Sequence, residues 1–120
     1  MMAQYKLGEV EAAFAGLIWD NEPLPSSRLV ELSAQKLEWK KSTTYTVLRR
    51  LCQRGIFCNE NGMVRSLVSR EEFAALQSEE FVEQAFEGSL PKFLAAFASR
   101  KKLSGEEIEQ LQKLIDESRG

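Results

Sequence analysis

Between Lys41 and Gln53 the residues able to do chemistry and those able only to pack fall on opposite sides of one helical period. Thr44, Val47, Leu48 and Leu51 recur at the spacing of an inward face, while Ser42, Thr43, Tyr45, Thr46, Arg49, Arg50 and Gln53 project the other way. Hydroxyls at these positions can bond phosphates or base edges, and the arginines can grip phosphates or the guanine edge. No carboxylate stands among them to repel a polyanion. Threonine and tyrosine are weak helix formers, so the segment gives up some helix propensity in keeping them. The weaker alternative is that Thr43, Tyr45 and Thr46 are ordinary solvated surface residues.

The surrounding charge favours the first reading. From Lys36 to Arg70 the chain places eight of its sixteen basic residues (Lys36, Lys40, Lys41, Arg49, Arg50, Arg54, Arg65 and Arg70) against Glu38 and Glu60, a local net charge of +6. The whole chain is −2, so the other 85 residues carry −8. Such polarity within an acidic protein is the electrostatic footprint of a nucleic-acid reader. The bland alternative is a set of bases that merely solvate a helix face.

The flanking segments must position this helix. Val10, Phe14, Leu17 and Ile18 predict an amphipathic helix over Gly8 to Trp19, stopped by Asp20-Asn21-Glu22-Pro23. Ser26 or Ser27 can cap a second helix that runs through Leu29, Val30 and Leu32 to about Leu37. Only Glu38-Trp39-Lys40 separates it from the third, a connection short enough to cross two helices steeply, as in a helix-turn-helix, although the usual glycine is missing. After Gly55, a C-terminal stop, Ile56-Phe57-Cys58 and Met63 to Val68 flank Asn59-Glu60-Asn61-Gly62, and Asn-Gly between apolar runs signals a hairpin. Three helices followed by a hairpin is the order of a winged helix. The expected fold is therefore mainly α, with a winged helix-turn-helix DNA-binding domain over residues 1–69 and a C-terminal helical dimerisation region over residues 70–120.

In that second region Ser69 and Glu72 form a capping box for a helix reaching about Phe86. It carries Glu71, Glu72, Glu79, Glu80 and Glu83, with Glu87 just beyond and no base after Arg70, so it is expected to face away from nucleic acid. Gly88 breaks it. Ser89 and Pro91 open another helix with Leu90, Phe93, Leu94 and Phe97 on one side, and Ser104 with Glu107 caps a last one bearing Ile108, Leu111, Leu114 and Ile115. Apolar stripes on helices this short have little of their own to bury against, which predicts a partner chain. Leu90, Phe93, Leu94, Phe97, Ile108, Leu111 and Ile115 would form the dimer seam. The alternative is that both helices fold back on the winged helix.

Composition excludes several classes. A chain of 120 residues with 43% hydrophobic content supports one compact domain, or a small domain with a helical arm. No apolar run approaches the roughly 20 residues that span a bilayer, and Met1 to Leu7 lacks the charged and apolar parts of a secretory signal, so a cytoplasmic protein without membrane insertion is expected. With no histidine in the chain, Cys52 and Cys58 cannot by themselves supply the four ligands of a structural zinc site. They read as reduced thiols near the core, and a redox role would require exposure and a depressed pKa. Lacking histidine, a glycine-rich phosphate loop and a recognisable carboxylate pair, the chain is not expected to be an enzyme, nor to need a metal or cofactor.

Leu17-Ile18-Trp19, then Trp39 with Lys40-Lys41-Ser42-Thr43, Thr46 leading to Arg50-Leu51, Gly55, Leu67-Val68-Ser69-Arg70-Glu71-Glu72-Phe73, Gly88-Ser89-Leu90, and Leu103-Ser104-Gly105-Glu106-Glu107-Ile108-Glu109-Gln110-Leu111 follow one another in order. Together, from about Leu7 to Glu117, they resemble the penicillinase repressor family of winged-helix transcriptional regulators. The resemblance implies a homodimer that binds a palindromic operator in double-stranded DNA through the third helix and represses transcription, with the C-terminal helices as its interface. Lys40, Lys41 and Arg54 would then meet phosphates, Ser42, Thr43, Thr46 and Arg50 bases, Tyr45 and Arg49 either, and Arg65 a phosphate from the hairpin. Three features depart from the family. The hairpin between Gly55 and Leu67 is shorter than the usual wing and lacks its Gly-Arg and tyrosine positions, and the cysteine-rich tail of copper-responsive relatives is absent. In members controlled by a membrane sensor protease, a further partner that the resemblance brings in, cleavage follows an asparagine; the matching bond here is Ala96-Phe97. The competing class is a protein-interaction module that keeps the winged helix with weak or lost DNA binding.

Overall fold

The computed structural model describes residues 5–119, so Met1 to Gln4, part of the start weighed above as a secretory signal, lies outside the described residues. In chain order the elements are α1 (Glu9–Asn21), β1 (Leu24–Pro25), α2 (Ser26–Leu37), α3 (Lys41–Gln53), β2 (Phe57–Glu60), β3 (Met63–Ser66), α4 (Arg70–Phe86), α5 (Leu90–Arg100) and α6 (Gly105–Ser118). They divide into two compact units, Met1–Glu80 and Phe81–Gly120.

The first unit is a winged helix. Its core gathers Phe14, Ala15 and Ile18 from α1, Leu29 and Leu32 from α2, Val47, Leu48 and Leu51 from α3, and Ile56, Phe57 and Val64 around the hairpin. Each fully buried large side chain contributes about 1.5 to 3 kcal/mol. Val10, expected on the inward stripe of α1, is 54% exposed. Periodicity defines a stripe but not how far along it neighbouring elements reach. Trp19 closes the far side, its ring centroid 5.2 Å from Phe57 and 5.5 Å from Phe73, while its indole N–H donates to the Val68 carbonyl at 3.0 Å. Arg70 pairs with Asp20 at 2.8 Å, and the Ser69 hydroxyl accepts the Glu72 N–H at 3.0 Å, which fixes the start of α4 against α1.

The turn between α2 and α3 is made without glycine. Glu38 takes the left-handed conformation at φ 58°, ψ 34°, and Trp39 anchors the turn by stacking obliquely on Phe14 with ring centroids 5.0 Å apart. At the other end of α3, Gly55 adopts φ 78°. Its N–H bonds the Cys52 carbonyl at 3.0 Å and the Ile56 N–H bonds the Leu51 carbonyl at 3.2 Å, a Schellman closure.

Three further details differ from the sequence expectation. The hairpin turn is two residues rather than four: Asn61 and Gly62 both have positive φ, 53° and 81°, and Glu60 already pairs with Met63. This is the twist that a two-residue hairpin favours. A third strand, β1, pairs Leu24 with Val64 and Pro25 with Met63, giving an antiparallel sheet of order β1-β3-β2. Two residues ending in proline carry no strand signal of their own. Finally, Pro25 occupies the N-cap of α2 with no side-chain capping bond, so neither Ser26 nor Ser27 caps it.

The second unit holds the end of α4 with α5 and α6. Gly88 ends α4 at φ 78°, and the Ser89 hydroxyl accepts the Lys92 N–H at 3.2 Å. Ser104 and Glu107 cap α6 reciprocally at 3.1 and 3.0 Å. No residue of α5 or α6 is buried. Among the described residues, no helix is long and apolar enough to cross a membrane.

Candidate nucleic-acid interface

Thr44, Val47, Leu48 and Leu51 are buried, and their insertion into the core turns the opposite side of α3 to solvent. Ser42, Thr46, Arg49 and Gln53 succeed one another at spacings of four, three and four residues, so they form one exposed row along the helix. Thr43 and Arg50 lie on the flank toward α1, and Tyr45 and Cys52 on the flank toward the hairpin. The helix opens with Lys40 at its N-cap, no side-chain capping bond and no acidic residue in its first turn. Unpaired backbone N–H groups and the positive end of the helix dipole thus stand beside Lys40, Lys41, Ser42 and Thr43, an arrangement suited to an anion. Neither Lys41 nor Arg49 has a side-chain partner among the described residues. The Thr46 hydroxyl spends its proton on the Ser42 carbonyl at 2.8 Å, which leaves its oxygen free to accept.

The other sequence-predicted residues are more constrained. Arg50 approaches Glu11 of α1 at 3.5 Å, and Arg65, on β3, approaches Glu60 across the hairpin at 3.3 Å. Arg54 is half-buried as a residue, and its guanidinium donates to the Lys6 carbonyl at 2.8 Å, so it clamps the segment before α1. Tyr45 is half-buried, its hydroxyl 3.1 Å from that of Ser26. Sequence reasoning missed Glu11 and Ser26. Both meet α3 from elsewhere in the chain, at separations of 39 and 19 residues, and no local pattern signals such contacts.

Tyr45, Leu48, Arg49, Cys52 and Asn59 line a cavity of about 280 Å³ between α3 and β2. Cys52 and Cys58 are free and half-buried. Burial, and secondarily the charge of Cys58, push the Cys52 thiol above the usual cysteine value, the opposite of what a reactive sensor thiol needs. No cluster of three or more potential metal ligands occurs among the described residues.

In the second unit the predicted seam faces solvent in the single chain. Leu90, Phe97, Ile108 and Ile115 are 55, 44, 52 and 49% exposed, and Phe93, Leu94 and Leu111 are half-buried. Phe93 meets Phe86 and Phe97 at ring centroids of 5.6 and 6.2 Å. Phe93, Leu94 and Phe97 of α5 face Leu111 and Leu114 of α6 across an apolar groove of about 370 Å³.

Comparison with known proteins agrees with this architecture. The chain is 22% identical over 116 residues to the methicillin resistance regulatory protein MecI of Mammaliicoccus sciuri and to that of Staphylococcus epidermidis, covering 93% of this chain and 94% of each relative. It is 22% identical over 116 residues to the penicillinase repressor of Bacillus licheniformis, covering 93% of this chain and 91% of that one. The family model of the penicillinase repressors matches residues 7–117, nearly the whole winged helix and the helices that follow it, and this chain belongs to the penicillinase repressor family.

Proposed function

We propose that this protein is a transcriptional repressor that binds an operator in double-stranded DNA as a homodimer, with α3 in the major groove. The observation that carries the reading is the exposed, carboxylate-free row Ser42, Thr46, Arg49 and Gln53, headed by Lys40 and Lys41 at an uncapped helix start. Lys40 and Lys41 hold phosphates there, and Ser42, Thr43, Thr46 and Arg50 meet base edges, with Arg65 on the hairpin as a further phosphate contact. Residues 1–69 read DNA in this scheme, and residues 70–120 join two copies through Leu90, Phe93, Leu94, Phe97, Ile108, Leu111 and Ile115. Two α3 helices held about one duplex turn apart then engage both halves of a palindrome.

A titration with duplex DNA at several salt concentrations tests this. Affinity should fall steeply with salt, and Lys41→Ala should flatten the slope of log K against log salt by about 1 while weakening all duplexes alike. Thr46→Ala should cost about 1 to 3 kcal/mol on the operator alone. One observation favours a second reading, a protein-interaction module: Glu11 and Glu60 partly neutralise Arg50 and Arg65. Binding that is absent, or indifferent to salt, would select it.

A further inference from the structure

Residue 26 joins three pieces of the first unit. Its backbone N–H donates to the carbonyl of Gly62 in the hairpin turn at 2.7 Å. Its hydroxyl stands 3.1 Å from the Tyr45 hydroxyl on α3. It also follows directly on β1, whose Leu24 and Pro25 pair with Val64 and Met63 of the hairpin. A serine at the start of a helix ordinarily contributes by capping, yet this helix has no side-chain cap and the Ser26 hydroxyl is turned to Tyr45 instead. On the other side of that bond, the Tyr45 ring packs against the core and walls the cavity that Arg49 and Asn59 share.

We infer that Ser26 and Tyr45 form a latch that fixes the recognition helix relative to the hairpin, and that Tyr45 is a positioning residue for DNA rather than a contact. The inference rests on the DNA-reading function proposed above. A phenol held at its hydroxyl keeps one ring orientation, and Arg49 stands one helical turn further along the same helix. With the latch in place, the row on α3 and the Asn61-Gly62 turn keep one spacing, the spacing at which both reach the same duplex. Loss of the latch leaves Thr44, Val47, Leu48 and Leu51 in the core they share with Phe57 and Val64, so the fold persists while the Asn61-Gly62 turn loses its tie to α3.

A double-mutant cycle on the full-length protein separates this from direct contact. Tyr45→Phe and Ser26→Ala should each lower operator affinity about three- to tenfold, and the double variant should lose no more than either single one. Ser26→Thr, which restores a hydroxyl, should bind like the wild type. The salt slope should stay unchanged, because no phosphate contact is removed. A loss in Tyr45→Phe with none in Ser26→Ala would show that Tyr45 touches DNA and overturn the latch, as would additive losses or none. The same cycle followed by thermal unfolding needs no DNA and should show coupled losses. If the wild type binds no duplex while that coupling stands, the proposed function fails and the latch remains as a structural tie. If the coupling is absent, the latch itself fails.

Discussion

Arg49 and Arg50 are adjacent and chemically identical, yet the fold gives them different surroundings. Arg49 lies in the open row of α3 without a partner among the described residues, whereas Arg50 turns toward Glu11, with 56% of its side chain still exposed. The Glu11 side chain is only 25% exposed, but at 3.5 Å and with the guanidinium in solvent the pair adds at most about 1 kcal/mol to stability, so its larger effect is on the charge that the proposed DNA partner would meet. Glu11→Gln should therefore leave the thermal midpoint nearly unchanged and raise affinity for every duplex roughly two- to threefold at low salt, the gain vanishing as salt rises. Equal affinity of the variant and the wild type at low salt would place Arg50 outside the DNA footprint. Cys52 offers a second test. Burial raises its pKa, so the native state holds the thiol proton more tightly than the unfolded chain does. The associated stability is complete below the unfolded-state value, about 8.5, and is lost as pH rises through the raised native value. Unfolding followed from pH 7 to 10 should show an alkaline loss that is smaller in Cys52→Ala, and in Cys58→Ala the remaining Cys52 thiol should alkylate more slowly than free cysteine at pH 8.

At the scale of elements, the turn between α2 and α3 sets how α3 leaves the core. Glu38 sits there at φ 58°, a conformation that costs a side-chain-bearing residue about 1 kcal/mol and glycine almost nothing. Glu38→Gly should stabilise the protein by about 0.5 to 1 kcal/mol in denaturant unfolding. It also removes one of the two carboxylates in the basic segment from Lys36 to Arg70, so duplex affinity at low salt should rise. A destabilised variant would mean that the Glu38 side chain supports the turn. The hairpin shows the complementary case, in which Asn61 and Gly62 already suit the positive φ values of a two-residue turn.

For the whole molecule, the governing question is what covers α5 and α6. Each is amphipathic and neither buries a residue in the single chain, which leaves apolar stripes of the kind that the proposed second copy would cover. Phe97→Glu sets a carboxylate on a side chain that is 44% exposed in one copy but central to the proposed seam. Sedimentation at micromolar concentration should show a dimeric wild type and a monomeric variant whose first unit stays folded, with operator binding lost alongside. A wild type of 13.6 kDa in solution would overturn the dimer.

Helix boundaries were legible in the residues themselves because the signals for them are local. The α3 limits, the Gly55 stop, the Asn-Gly hairpin signal and the Ser104 cap follow from periodicity, left-handed backbone preference and hydrogen bonds that span a few residues, whereas strand pairing of Glu60 with Met63 narrowed the expected four-residue connection to Asn61-Gly62. So was the basic, carboxylate-free face of α3, since charge and helical spacing can be counted. Tertiary structure alone decided which members of that face are free. Glu11 reaches Arg50 across 39 residues, Ser26 reaches Tyr45 across 19, and the Lys6 carbonyl takes Arg54 across 48. It also created β1, whose two residues become a strand only because β3 presents a paired edge beside them. Side chains far apart in the chain meet through the packing of whole helices and strands, and the local preferences of either partner carry no record of that meeting.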